Sequence, residues 1–178
     1  MLMNGSEYIE IIEAIKSEII GAQYKAALNV NRELIMLYYH IGTVINEHKA
    51  WGNKFIENLA ADIKLSFPST KGYSVRNLKY MAKLAATYDD EDFVQQAVAQ
   101  SPWGHTVVLL DKFSDSTIRN WYVEKTIENG WSRNVLIHQI ESGLYERQAI
   151  AEKISNFENR LASPQSELAV QTMKDPYI

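Results

Sequence analysis

The sequence predicts an all-α fold, a helical bundle with a long N-terminal helix and two helix-turn-helix-like units. Three observations carry this prediction. From Ser6 to about Lys49 the chain contains no proline and repeats apolar residues every three or four positions. Helix-start chemistry recurs at Ser74, Ser101, Asp115 and Ser132, each ahead of a periodic stretch. Pro68, Gly72 and Gly130 punctuate the joins between those stretches.

The first stretch sets Ile12, Ile15, Ile19, Ala22 and Ala26, then Ala27, Val30, Leu34, Leu37, Ile41 and Val44, at helical spacing. The pattern slips by one residue near Ala26, which a continuous helix absorbs better than a strict heptad does. It reads as one long helix, or as two that meet near Gly21 or Asn29. A forty-residue helix is about 60 Å long, more than a domain of this size is wide. An unbroken helix therefore offers its Ile-rich first half as a homodimer surface, whereas a break at Gly21 would fold that half back into the core.

Trp51 and Gly52 end this region, and Asn58 to Phe67 is expected as the next helix, closed by Pro68. Ser74 is a good N-cap, Tyr73 and Leu78 flank it as a hydrophobic staple, and Gly72 frees the turn, so the following helix should start at Val75. Asp89, Asp90, Glu91 and Asp92 open a helix from Phe93 to Gln100, where the helix dipole favours acids. Ser101 and Pro102 are expected as N-cap and first residue of a helix from Trp103 to Lys112. Asp115 or Ser116 caps another that runs to Asn129, and Gly130 ends it. After Ser132 the helical pattern continues past Arg147 to about Leu161. Residues 1–161 are thus expected to form one helical domain, with helix-turn-helix units at about 58–88 and 117–147, and residues 162–178 to form a linker.

A chain of 178 residues with 46% hydrophobic residues has material for a real core. The absence of cysteine removes disulfides, thiolate zinc sites and cysteine nucleophiles, and fits a reducing, cytoplasmic setting. The N-terminus, MLMNGSEYIEIIEAIK, lacks the basic start and unbroken apolar run of a signal peptide. No apolar run approaches the eighteen or so residues of a membrane span, and no membrane partner is expected. With a net charge of −4, any nucleic-acid binding must be local.

One stretch has that local charge. From Ser69 to Lys83 there are four cations, Lys71, Arg76, Lys79 and Lys83, and no acid, which leaves about −8 for the rest of the chain. On a helix from Val75, residues Val75, Leu78, Met81, Ala82 and Ala85 share one side, and Arg76, Lys79 and Lys83 form a stripe on the other. A basic helix set by a short turn against a preceding one is the geometry that helix-turn-helix proteins offer to DNA. Lys71, Arg76, Lys79 and Lys83 are the candidate phosphate contacts, with Ser74 at the cap, and Asn77 and Tyr80 the candidates to approach bases or sugar. The segment Gly130-Trp131-Ser132-Arg133-Asn134-Val135-Leu136 repeats the glycine, aromatic, serine cap and N4 leucine of Gly72 to Leu78. It exposes Arg133 and Asn134, but Glu141 shares their face and weakens the case for phosphate. The competing reading of the basic stripe is an ordinary solvated helix face.

Catalytic signatures are missing. The chain has no phosphate-cradling glycine loop, nucleophile elbow or metalloprotease helix motif. Its histidines, His40, His48, His105 and His138, lack ligand-like spacing. The sole Glu-x-Lys, Glu47-His48-Lys49, has no aspartate before it. No enzyme activity, cofactor or metal is expected of this segment.

Several stretches together resemble the N-terminal domain of the YhcG-like family, a helical domain of unknown function. They are NRELIMLYYHIG, FPSTKGYSVRNLKYM, SPWGHTVVLLDK, WYVEKTIENGWSRNVLIHQIESGLYERQ and the final KDPYI. The resemblance runs from about Glu18 onward. It implies a two-part protein in which this helical domain, proposed to bind DNA, precedes a PD-(D/E)XK nuclease domain introduced by Lys174-Asp175-Pro176-Tyr177. It assigns no functional residues to this half. The expected function is a helix-turn-helix DNA-binding domain, non-catalytic by itself, with a nuclease domain in cis. The alternative is a protein-interaction and dimerisation module that binds no nucleic acid.

Overall fold

The computed structural model describes residues 5–160, and side-chain environments as far as residue 155. Among these residues there are eight α-helices and no strand. The chain packs as two compact units divided between Ser114 and Asp115, where one domain over 1–161 was expected. Each unit contains one of the two segments expected as helix-turn-helix units. The expected linker at 162–178 lies outside the described residues.

The first unit is built on α1, Gly5–Glu47, one unbroken helix of 43 residues. With no proline and good helix formers around it, Gly21 costs propensity without stopping the helix. The expected alternative, two helices meeting near Gly21 or Asn29, is therefore excluded. Burial begins only in the second half of α1, where Ile35, Tyr38, Tyr39, Gly42 and Ile45 face the core. Three polar side chains on that half bond the backbone of neighbouring elements. Asn31 Nδ2 donates to the carbonyls of Ala99 (2.9 Å) and Ser101 (3.0 Å), the Tyr39 hydroxyl to Tyr88 (2.9 Å), and Asn46 Nδ2 to Ala82 (2.8 Å).

After a 3₁₀ turn at Lys49–Trp51, α2 spans Gly52–Ser66, beginning six residues before the expected Asn58. The early start has a tertiary cause. His48, Trp51 and Phe55 cluster, with ring centroids 4.5 Å apart for His48–Trp51 and 5.1 Å for Trp51–Phe55, and Phe55 and Ile56 pack on the core. Next come α3, Val75–Thr87, and α4, Glu91–Gln96, then a 3₁₀ turn at Val98–Gln100 and α5, Trp103–Lys112. The acidic cluster caps α4, with Asp90 Oδ1 accepting from the Phe93 amide at 3.1 Å. Helix α4 stops at Gln96 rather than Gln100. Ser101 is a buried residue between helices, and Pro102 takes the N-cap position of α5.

Helix α3 crosses α1 at Gly42. A Cβ on Gly42 would lie 1.9 Å from the Met81 carbonyl oxygen, so only glycine permits this backbone approach. The crossing separates two apolar clusters. Tyr38, Ile45, Leu78 and Met81 lie on one side, and Ile35, Tyr39, Leu84, Tyr88 and Val94 lie with the α5 residue Leu110 on the other. Leu84, absent from the expected apolar face of α3, is fully buried because α4 and α5 widen that face beyond α1 alone.

The second unit contains α6, Ser116–Asn129, α7, Arg133–Glu141, and α8, Leu144–Arg160. Asp115 caps α6 by accepting from the amides of Thr117 (2.8 Å) and Ile118 (3.1 Å), and Gly130 ends it at φ 61°. Gly143, at φ 66°, separates α7 from α8 where an unbroken pattern was expected. Tyr122 joins the three helices. Its hydroxyl donates to the Gln139 carbonyl (3.4 Å) and accepts from the Tyr145 amide (3.2 Å), and burial pushes its pKa above the ordinary tyrosine value.

Candidate nucleic-acid interface

The turn between α2 and α3 is fixed from several sides. Gly72 sits at φ 100°, and a Cβ there would meet the Tyr38 hydroxyl at 2.6 Å, so both conformation and space call for glycine. The Tyr38 ring packs edge-on between Tyr73 (5.9 Å between centroids) and Trp103 (4.9 Å). Ser74 Oγ accepts from the Asn77 amide at 3.2 Å, so α3 starts at Val75 as the cap predicts. Tyr73 and Leu78 join the same apolar cluster, as a staple requires.

Asn77 faces inward. Expected to approach bases or sugar, it is half-buried and committed inside the protein. Its Nδ2 donates to the Gly72 carbonyl (2.8 Å), and its Oδ1 accepts from the Trp103 indole N–H (3.1 Å). An amide at the third position of α3 reaches back naturally over the turn, and the indole of α5 completes it. Asn77 holds the turn.

Arg76, Lys79, Tyr80 and Lys83 come together with Val75 around an open depression of about 640 Å³, and Asp111 of α5 closes its edge. Tyr80 lies between two cations, with the Arg76 guanidinium carbon 5.7 Å and Lys83 Nζ 5.9 Å from its ring centroid. Its hydroxyl donates to Asp111 Oδ2 at 2.6 Å, and Lys83 Nζ pairs with Asp111 Oδ1 at 3.2 Å. The Tyr80 hydroxyl, expected to approach bases or sugar, is directed to a carboxylate. The Tyr80 hydrogen bond, then Lys83, hold the Asp111 carboxyl below its ordinary pKa.

Asp111 was missed in the sequence because it lies 28 residues beyond Lys83 and reaches it only through packing of α5 beside α3. Trp103 at the start of α5 meets Asn77 at the start of α3, and Asp111 meets Lys83 near its other end, so the two helices run in the same direction. The acid offsets charge at the far end of the stripe. Arg76 and Lys79 remain exposed on the first turns, where the helix dipole adds partial positive charge. Lys71 is exposed in the turn, beside a second depression of about 690 Å³ whose lining includes Lys64 of α2 and Ser74.

In the second unit Ser132 Oγ accepts from the Val135 amide at 3.3 Å and caps α7. Arg133 and Asn134 are exposed on its first turn, and His138 and Glu141 are exposed beyond them. Among the described residues no three histidines or carboxylates gather to hold a metal, and no helix is long and apolar enough to cross a membrane. Residues 14–147 match the family described as the DUF1016 N-terminal domain. Neither a curated protein nor a solved structure matches the chain.

Proposed function

The chain belongs to the DUF1016 N-terminal domain family, and from that premise we propose that its first helix-turn-helix unit binds DNA through the opening turns of α3. One observation carries the reading. Arg76 and Lys79 stand exposed beside Tyr80 on a helix whose opposite side is pinned to α1 at Gly42. A rigidly backed helix with cations on its first turns can lie along a phosphate backbone without distorting. Lys71 extends the contact to the turn, and Asp111 confines it to the N-terminal part of the stripe. Arg133 and Asn134 offer a weaker second contact. In this reading the domain is non-catalytic and acts in the cytoplasm, positioning DNA for a PD-(D/E)XK nuclease domain in cis, in keeping with the sequence resemblance.

The test is Arg76→Ala combined with Lys79→Ala, assayed by fluorescence anisotropy against duplex, branched and single-stranded DNA over a range of salt. Loss of two phosphate contacts should weaken binding on the order of tenfold or more at low salt and flatten the log–log salt slope by about 2. Unchanged affinity and slope with helicity intact by circular dichroism would remove this helix from the interface. The second reading, a protein-interaction module with a merely solvated basic stripe, is favoured by the exposed apolar first half of α1. It predicts no binding of any of the three DNA forms by the parent protein at low salt.

A further inference from the structure

The first half of α1, through Val30, contributes nothing to the buried core, although Tyr8, Ile15, Ile19 and Val30 lie on it. β-branched isoleucine does not favour an isolated helix, and an amphipathic helix draws most of its stability from packing its apolar face, so the order of this half calls for a partner. Tyr8, Ile12, Ile15, Ile19, Ala22 and Ala26 follow one another at alternating spacings of four and three. That spacing forms a seam along one side of the helix. All are exposed except Ile12, which is half-buried.

We propose that this seam pairs with the same seam of a second copy, antiparallel, with Ile19 of each copy opposite Ala22 of the other. Two independent features select this arrangement. The first is size. The pairing sets Ile15 against Ala26 and Ile19 against Ala22, so each large side chain meets a small one through the central layers. A parallel pair would stack isoleucine on isoleucine at one end and alanine on alanine at the other, leaving the alanine end open.

The second is charge. Glu18 and Lys25 immediately precede Ile19 and Ala26 and so occupy the same flank of the seam. In an antiparallel pair this flank faces its own copy, and the chosen register puts Glu18 beside Lys25 twice. Sliding by one heptad either way would instead set Glu18 on Glu18 or Lys25 on Lys25. A parallel pair would put Glu18 beside Gln23 and Lys25 beside Val30, with no ion pair. On the other flank, Ile9 approaches Val30 of the second copy.

The full chain should sediment as a concentration-dependent dimer. Glu18→Lys should raise the dimer dissociation constant by about tenfold, since it replaces two attractive pairs with two repulsive ones. Combining it with Lys25→Glu should restore the parent value. Tyr24→Ser, on the outer face of the helix, should leave dimerisation unchanged. Orientation is read by disulfide formation, because the chain has no cysteine of its own. Under oxidation Ile15→Cys alone and Ala26→Cys alone should stay unlinked, and their mixture should link. Self-linking of Ile15→Cys alone, dissociation by Tyr24→Ser alone, or a monomer at all concentrations with helicity intact would each overturn the proposal.

Discussion

The helix pairs α2–α3 and α6–α7 begin their second helices alike and differ in nearly everything around them. Ser74 and Ser132 have almost the same backbone angles, φ −67° and ψ 158° against φ −67° and ψ 164°, and each caps the amide three residues on. The preceding glycines diverge. Gly72 is pressed against the Tyr38 hydroxyl inside a packed turn, whereas a Cβ on Gly130 would meet nothing within 4 Å. Gly130 instead ends α6 as a left-handed cap, its N–H and that of Trp131 both donating to the Thr126 carbonyl. The surfaces diverge too, since α3 carries Arg76, Lys79, Tyr80 and Lys83 together, while α7 follows Arg133 with Glu141. A shared helix-start signature therefore reports local chemistry and says little about the face that the helix presents.

The first unit is most vulnerable at the Gly42 crossing. Gly42→Ala should destabilise the first unit by about 3 kcal/mol, because the new methyl meets backbone that cannot swing aside. Hydrogen exchange should show faster opening of α1 and α3 with α6 to α8 unaffected. Next in size is the glycine pair. Gly72→Ala should cost about 2 kcal/mol through strain and contact together, and Gly130→Ala about 1 kcal/mol through left-handed strain alone. Equal costs in urea unfolding would mean that the Tyr38 contact relaxes without penalty.

The caps should not discriminate. Ser74→Ala and Ser132→Ala should each cost about 1 kcal/mol, so a large difference between them would show that the shared signature hides unequal roles. The smallest effect belongs to Asp111. Its folded pKa is depressed, so its contribution to stability is present above the unfolded value of about 4 and is lost as pH falls through the lower folded value. Acid titration of unfolding should therefore show a slightly steeper loss in the parent than in Asp111→Asn. The same substitution should tighten DNA binding about threefold by unmasking Lys83.

The starts of α3, α6 and α7 were legible in the sequence because a cap needs only a side chain and an amide two or three residues on. The all-α class, the long N-terminal helix and the basic stripe followed from periodicity and charge in the same way. What escaped was set by partners distant in sequence. Asn77 looks like a surface amide until Trp103 is placed over it, and Tyr80 looks like a base contact until Asp111 is placed beside it. Leu84 joins the core because α4 and α5 close over it, and α2 starts at Gly52 because Trp51 and Phe55 cluster with His48. Gly42 gave no sign of its role, since a glycine inside a helix carries no mark of the backbone that will lie against it.

That crossing makes α1 a ruler. From Gly5 to Gly42 the helix is unbroken, so its tip stands about 56 Å from the point where α3 lies across it. A tilt of about 10° at the pivot would sweep the tip through about 10 Å, and any partner that grips the first turns thereby sets the position of Arg76 and Lys79 at a fixed distance.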